Sequence, residues 1–238
     1  MSDNNLFPCL IGTLSAEIIT LPICTIKTNY QNNLTHKSIK YTVKDIILKS
    51  GYRGFIQASP HAIISQLIST STKYTFYHKI KKIRQTESND IISNSINGLL
   101  GGLIGSIFSH PFDVWKNYTQ RNEYFNWKSF NLKLYYQGYS ASIYKNAVLY
   151  SCLFPLYDYY KLKFDSIMIS SILTTITVST IIQPFDYYKT VKMAGTNIKF
   201  DITNIRQFGR GFNLMLLRSI PHFFITMVIT EKVKKKFN

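Results

Sequence analysis

One motif occurs three times and limits every other assignment. HPFDVWKNYTQ at 110–120 and QPFDYYKTVKM at 183–193 share Pro-Phe-Asp-x-x-Lys, which pairs Asp113 with Lys116 and Asp186 with Lys189. LPICTIKTNYQ at 21–31 is a degraded third copy, with Pro22 and Lys27 in place and Cys24 where the acid belongs. The prolines at 22, 111 and 184 return after 89 and then 73 residues (22 to 111, 111 to 184). Self-similarity on this scale decides the architecture before any local pattern does. Each copy closes an apolar segment with Pro22, Pro111 or Pro184. Inside a helix such a proline removes a backbone hydrogen bond and clashes with the preceding turn, so the helix is expected to kink there. Acid and base three residues apart then share one face of the next turn.

Six apolar segments surround these motifs in three pairs: about 6–27, 56–77, 91–116, one ending at Lys161, 166–189, and one from Gly211 to Lys234. At about 1.5 Å per residue each is long enough to cross a bilayer. Small residues recur at close helical spacing: Gly12, Ser15 and Ala16; Gly98/Gly102 and Gly101/Gly105; Ser171, Thr175 and Ser179. Such spacing lets helix backbones approach in lipid. Glu17 lies within the first segment, where a charge has to face protein or water. The stretch 31–53 between the first two segments reads as a polar, basic connection.

Composition narrows the class without deciding it. The chain has 238 residues, 45% hydrophobic and 15% aromatic, with a net charge of +16. That apolar content excludes soluble disorder. The charge suits either a nucleic-acid binder or a membrane protein with basic loops that handles anions. Mean hydropathy is −0.03, low for a membrane protein, so hydropathy leaves the choice open. A soluble nucleic-acid binder using Tyr and Phe as stacking platforms does not account for three prolines with matching charges behind apolar segments. Cys9, Cys24 and Cys152 have no metal or disulfide spacing, and the histidines at 36, 61, 78, 110 and 222 form no ligand set. No P-loop, HExxH or GxSxG occurs, so neither an enzyme nor a bound metal or cofactor is expected. The start, MSDNNLFPCL, has no basic n-region, so any address is expected to be internal.

Taken together these residues resemble the mitochondrial carrier family over essentially the whole chain. The family pattern is Pro-x-acid-x-x-base on each odd helix, an aromatic-base-Gly turn, and aromatic-acid-x-x-base on each even helix. Gly138 to Asp158 and Gly211 to Glu231 both span 20 residues, whereas Gly54 to His78 spans 24. The resemblance implies an all-α membrane protein of six transmembrane helices, arranged as three helix pairs about a pseudo-threefold axis. The repeats would occupy 1–88, 89–164 and 165–238. It further implies a multi-pass transporter of the mitochondrial inner membrane, of a host cell if this reduced, AT-rich-looking chain is virus-encoded. Transport would be by alternating-access exchange through a monomer, with cardiolipin near Gly54, Gly138 and Gly211.

The resemblance assigns roles residue by residue. An inner, matrix-side gate would use Lys27, Asp113, Lys116, Asp186 and Lys189, with Asp113 meeting Lys189, Asp186 meeting Lys27, and Gln31 and Gln120 as braces. An outer, cytoplasmic-side gate would use Lys81, Asp158, Lys161, Glu231 and Lys234. Cys24 leaves Lys116 without its expected partner and His78 replaces an outer acid, so each ring is expected to hold two carboxylates, and Cys24→Asp is expected to alter the transport rate. Substrate contacts fall seven and eight residues after the turn glycine: Lys145 with Asn146, Arg218 with Ser219, and His61 in repeat one, with Ser65 as the alternative if its register slips. These cations point to an anionic substrate, with nucleotides or deoxynucleotides ahead of carboxylates, keto acids and phosphate.

Overall fold

The computed structural model describes residues 6–33, 38–85, 91–123, 132–164, 166–195 and 209–237, and every regular element among them is helical. In order these are α1 (Leu6–Asn32), α2 (Ile39–Ser50), α3 (Ser59–Ile83), α4 (Ile91–Gln120), α5 (Leu132–Tyr135), α6 (Tyr139–Phe164), α7 (Ile167–Met193) and α8 (Phe212–Phe237). The six long helices pack as α1–α3–α4–α6–α7–α8, and α8 returns to α1, which closes a ring. Each helix satisfies its own backbone hydrogen bonds, the condition for crossing hydrocarbon.

Burial in this ring is inverted relative to a water-soluble bundle. Thr20, Thr25, Gln31, Ser106, Asn146, Ser170 and Asp186 are buried, while Ile18, Ile19, Phe108, Ile181, Leu217 and Phe224 are exposed. A polar interior with an apolar exterior suits a ring that faces lipid outward. By length and hydropathy, three stretches among the described residues qualify as membrane spans: Leu6–Asn32, Met168–Met193 and Phe212–Thr230. Helices α3, α4 and α6 have 25, 30 and 26 residues, or about 38–45 Å at ~1.5 Å each. All three are long enough, and in α3 and α6 inward polar residues such as Gln66, Ser69, Lys73 and Asn146 lower the hydropathy.

The small residues act where the repeats meet. A Cβ on Gly101 would lie 2.7 Å from the Tyr77 backbone nitrogen, and one on Gly105 2.9 Å from the Lys73 Cα. Only glycine permits this approach of α4 to α3. Gly98 and Gly102, the other half of the overlapping pattern, line a cavity instead of a helix contact. Between α6, α7 and α8 the contact is aliphatic, with Val178, Ile182 and Met215 packed against Val148, Leu149 and Cys152. Pro22, Pro111 and Pro184 each lie inside a continuous helix.

Two features differ from the sequence expectation. The polar stretch after α1 contains the amphipathic α2, which starts where the Ser38 side chain accepts from the Tyr41 amide and ends at Gly51 with φ +62. It buries Thr42 and Ile46. The second difference is register. Helices α6 and α8 grow from Gly138 and Gly211, whose φ values are +74 and +79, through bonds from Ser142 to Gly138 (3.1 Å) and Met215 to Gly211 (2.9 Å). In repeat one the same bond joins Ala62 to Ala58 at 2.8 Å. Gly54 belongs to a short 3-10 turn, Tyr52–Phe55. Ala58 therefore stands in the place of Gly138 and Gly211, and His78 is 20 residues beyond it (58 to 78), as Asp158 and Glu231 are beyond their glycines.

Candidate functional site

The ring brings the three motif lysines to carboxylates on neighbouring repeats. Lys27 of α1 pairs with Asp186 of α7, and Lys189 of α7 donates to Asp113 of α4 at 3.2 Å. Lys116 of α4 also has an acid: it pairs with Glu17 of α1. The expectation that Cys24 leaves Lys116 unpartnered is therefore corrected. Among the described residues the inner ring holds three carboxylates, not two. Seven residues advance an ideal helix by two turns less about 20°, so Glu17 and Cys24 share one face of α1. The acid is displaced along the helix instead of lost.

A second layer of bonds follows the same threefold logic. With Ala58 as the repeat-one origin, seven residues on gives Ser65, matching Lys145 and Arg218 in the other repeats. Ser65 donates to Asp113 at 2.5 Å, Lys145 to Asp186 at 2.5 Å, and Arg218 to Glu17 at 2.9 Å. Each carboxylate thus accepts one motif lysine from the next repeat and one contact-position side chain from the repeat before it. His222 Nε2 also lies 3.5 Å from Glu17. Side-chain exposure is 8% for Lys27 and 5% for Asp186, against 17% for Lys189 and 26% for Asp113. These are largely buried pairs. Removing one member strands a charge at about 3–5 kcal/mol, although the intact pair stabilises far less because Coulomb attraction mainly offsets desolvation.

A cavity of about 260 Å³ lies beside this layer, lined by Lys27, Lys145, Asp186, Arg218, Ser219 and His222 among others. Aliphatic groups from Leu149, Val178 and Met215 complete its wall. Arg218 Nε is buried and finds no hydrogen-bond partner among the described residues. A second cavity of about 420 Å³ lies between α1, α3 and α4, with Gln66, Ser69 and Lys73 in its lining. Guanidinium and ammonium donors around a partly apolar hollow suit phosphate or carboxylate anions, with Arg supplying a planar fork.

Not every expected residue joins the site. Asn146 donates to Ser106 at 2.6 Å and is absent from the cavity lining. His61 packs edge-on against Trp115 with centroids 4.1 Å apart, because the true start of α3 rotates it away and brings Ser65 inward. Gln120 accepts from Thr28 at 2.8 Å, whereas Gln31 donates to the Arg210 carbonyl at 3.2 Å. Arg210 in turn caps the end of α1 through the Tyr30 and Asn33 carbonyls, both at 2.7 Å. Gln31 therefore ties α1 to the turn before α8 and does not touch the ion pairs. The turn glycines, beside which the resemblance implies cardiolipin, are tightly built in: Gly211 abuts Gln31 and Gly138 abuts the Met193 backbone. Of the expected outer residues, Lys81 is half-buried near the end of α3. The side chains of Asp158, Lys161, Glu231 and Lys234 lie outside the described residues. Sequence reasoning passed over Glu17, His222 and Lys73 as site residues. Glu17 did carry a signal, an acid within an apolar span.

Known proteins point the same way. Residues 4–88 match the family profile described as mitochondrial carrier protein. Over 228 residues the chain is 40% identical to a mitochondrial carrier-like protein of Acanthamoeba polyphaga mimivirus, covering 95% of this chain and 94% of that protein. Shorter matches reach a mitoferrin of Dictyostelium discoideum, 26% identical over 46% of this chain and 39% of that protein. A mitochondrial glycine transporter of Sclerotinia sclerotiorum is 27% identical over 49% of this chain and 42% of that protein. A closed ring of six helices, polar within and apolar without, three Pro-x-x-x-x-Lys motifs meeting at their charges, and a relative matched almost end to end lead to one conclusion: the chain belongs to the mitochondrial carrier family, a family of transporters.

Proposed function

We propose that this carrier exchanges small anionic metabolites across the mitochondrial inner membrane by alternating access, as a multi-pass monomer made of repeats 1–88, 89–164 and 165–238. The observation that carries the reading is the single cavity in which Lys145, Arg218 and Ser219 converge beside the inner ion pairs. An entering anion competes with Asp186 for Lys145 and with Glu17 for Arg218. Those two carboxylates also hold Lys27 and Lys116, so binding loosens the inner ring that closes the matrix side. Opening returns both members of each pair to water, which recovers desolvation as Coulomb attraction is lost. The net difference is then small enough for substrate binding energy to supply. The outer ring of Lys81, Asp158, Lys161, Glu231 and Lys234 would close in the opposite state.

Within the anions, nucleotides or deoxynucleotides match the cluster of Lys27, Lys145 and Arg218 best. A second reading, a small carboxylate, is favoured by the cavity's 260 Å³, just below the ~300–1,000 Å³ usual for small-molecule sites. The relatives named mitoferrin and mitochondrial glycine transporter are matched over less than half their length. Uptake into liposomes preloaded with labelled ADP, dATP, phosphate or 2-oxoglutarate separates these readings. Exchange of one of them should fall at least tenfold in Arg218→Ala and in Lys145→Ala, the loss of about 1.4 kcal/mol or more of charge-assisted binding. Unchanged exchange in both variants removes the site.

A further inference from the structure

We infer that Glu17 is the inner-gate carboxylate of repeat one, moved two helical turns from the motif position that Cys24 occupies, and that the move makes one side chain serve both the gate and the substrate cavity. This rests on the transport reading for its consequence, but not for its geometry.

The bonding pattern is what assigns it. Asp113 accepts Lys189 from the following repeat and Ser65 from the preceding one. Asp186 accepts Lys27 and Lys145 in the same relation. Glu17 accepts Lys116 and Arg218, again one from the following repeat and one from the preceding repeat. No other acid of α1 is available, since Glu17 is the only Asp or Glu between residues 6 and 32. Its side chain is 1% exposed, and a carboxylate so placed in a membrane ring has to be paired. The third repeat-related site at the axis is filled by a residue that the repeat pattern itself does not predict.

Displacement still leaves repeat one with the double duty that Asp186, a cavity-lining gate carboxylate that holds Lys27 and Lys145, has in repeat three. About two turns along α1, or roughly 10 Å, carries the acid from the motif level toward the contact-position layer, where it meets Arg218 and stands 3.5 Å from His222, both of which line the cavity. An anion that takes the Arg218 fork removes one counter-charge from Glu17 and leaves Lys116 as its principal partner. Occupancy of the cavity therefore bears on the inner ring at repeat one, through Arg218 and Glu17, as it does at repeat three through Lys145 and Asp186. With Glu17 neutralised, an acid at Cys24 would stand near both Lys116 and Arg218 and could take over both pairings.

The test moves the charge along α1. The full-length chain, purified in detergent, is unfolded thermally as Glu17→Gln, Glu17→Gln with Cys24→Asp, and Glu17→Gln with Cys24→Asn. The first should melt on the order of 10 °C lower, because Lys116 and Arg218 are stranded together. Cys24→Asp should recover at least half of that loss, and Cys24→Asn none of it. An unchanged melting point in Glu17→Gln, no recovery with Asp, or equal recovery with Asn overturns the assignment. These melts need no substrate, so they decide the role of Glu17 even if the unaltered chain exchanges none of ADP, dATP, phosphate and 2-oxoglutarate, which would instead sink the transport reading. For whichever of those anions is exchanged, Glu17→Gln should lose turnover and the Glu17→Gln, Cys24→Asp chain should regain it. Turnover in the Glu17→Gln, Cys24→Asp chain no higher than in Glu17→Gln overturns the coupling of gate and cavity.

Discussion

Repeats two and three keep their acid and base three residues apart, at Asp113 with Lys116 and Asp186 with Lys189; repeat one spreads them over ten, at Glu17 and Lys27. All three nevertheless end in the same pattern, one carboxylate between a lysine from one side and a contact-position residue from the other. The difference teaches what the threefold ring constrains. It fixes where negative charge is needed near the axis, because three buried lysines cannot go without partners. It leaves open which turn of the odd helix supplies that charge, provided the residue stays on the same face. The even helices show the same freedom. Repeat one shifts the helix origin by four residues, from Gly54 to Ala58, and the contact position still falls on an inward side chain, Ser65.

That comparison is broken most forcefully at Asp186, which holds both Lys27 and Lys145. Asp186→Asn strands two cations, so thermal or denaturant unfolding in detergent should show a loss of about 3–5 kcal/mol. Asp113→Asn strands only Lys189 and releases a serine hydroxyl, at a more exposed site. Its cost should be about 1–3 kcal/mol. Equal costs would mean that the second layer of bonds contributes nothing. The smallest effect concerns register. Ser65→Ala should alter exchange by a few-fold, through the loss of about 0.5–1.5 kcal/mol of hydrogen bonding to Asp113, while His61→Ala should leave the KM unchanged and cost only its packing on Trp115. The reverse outcome would return the repeat-one contact position to His61.

Much of this architecture was readable from the sequence because covalent and electrostatic rules act locally. Three prolines with charges at fixed offsets give the threefold frame, and the Gly101/Gly105 step marks the close approach of α4 to α3. The pairings Asp113 to Lys189 and Asp186 to Lys27 follow from the family resemblance, which assigns gate partners on neighbouring repeats. What escaped was whatever depended on tertiary context. Glu17 obeys no motif, and its role appears only when Lys116 and Arg218 arrive from other helices. Asn146 keeps to its helix position but is turned to Ser106 by the neighbouring α4. Helix α2 was passed over because its basic, polar composition hid a Ser38 cap and an apolar stripe that binds only once α1 is beside it. Hydropathy is low in α3 and α6 for a related reason: helices that line a polar interior are not uniformly apolar.

The central claim is that charges from different repeats latch to one another at the axis and that this latch is part of the transport cycle. Exchanging the partners of one latch tests it most directly, and Asp113 with Lys189 is the pair in which neither member makes a second salt bridge among the described residues. Counterflow in preloaded proteoliposomes should be lost in Asp113→Lys and in Lys189→Asp, each of which sets like charges face to face. The chain carrying both changes should recover a substantial part of the original exchange. A double variant as inactive as either single one, in protein that still melts cooperatively, would contradict the account.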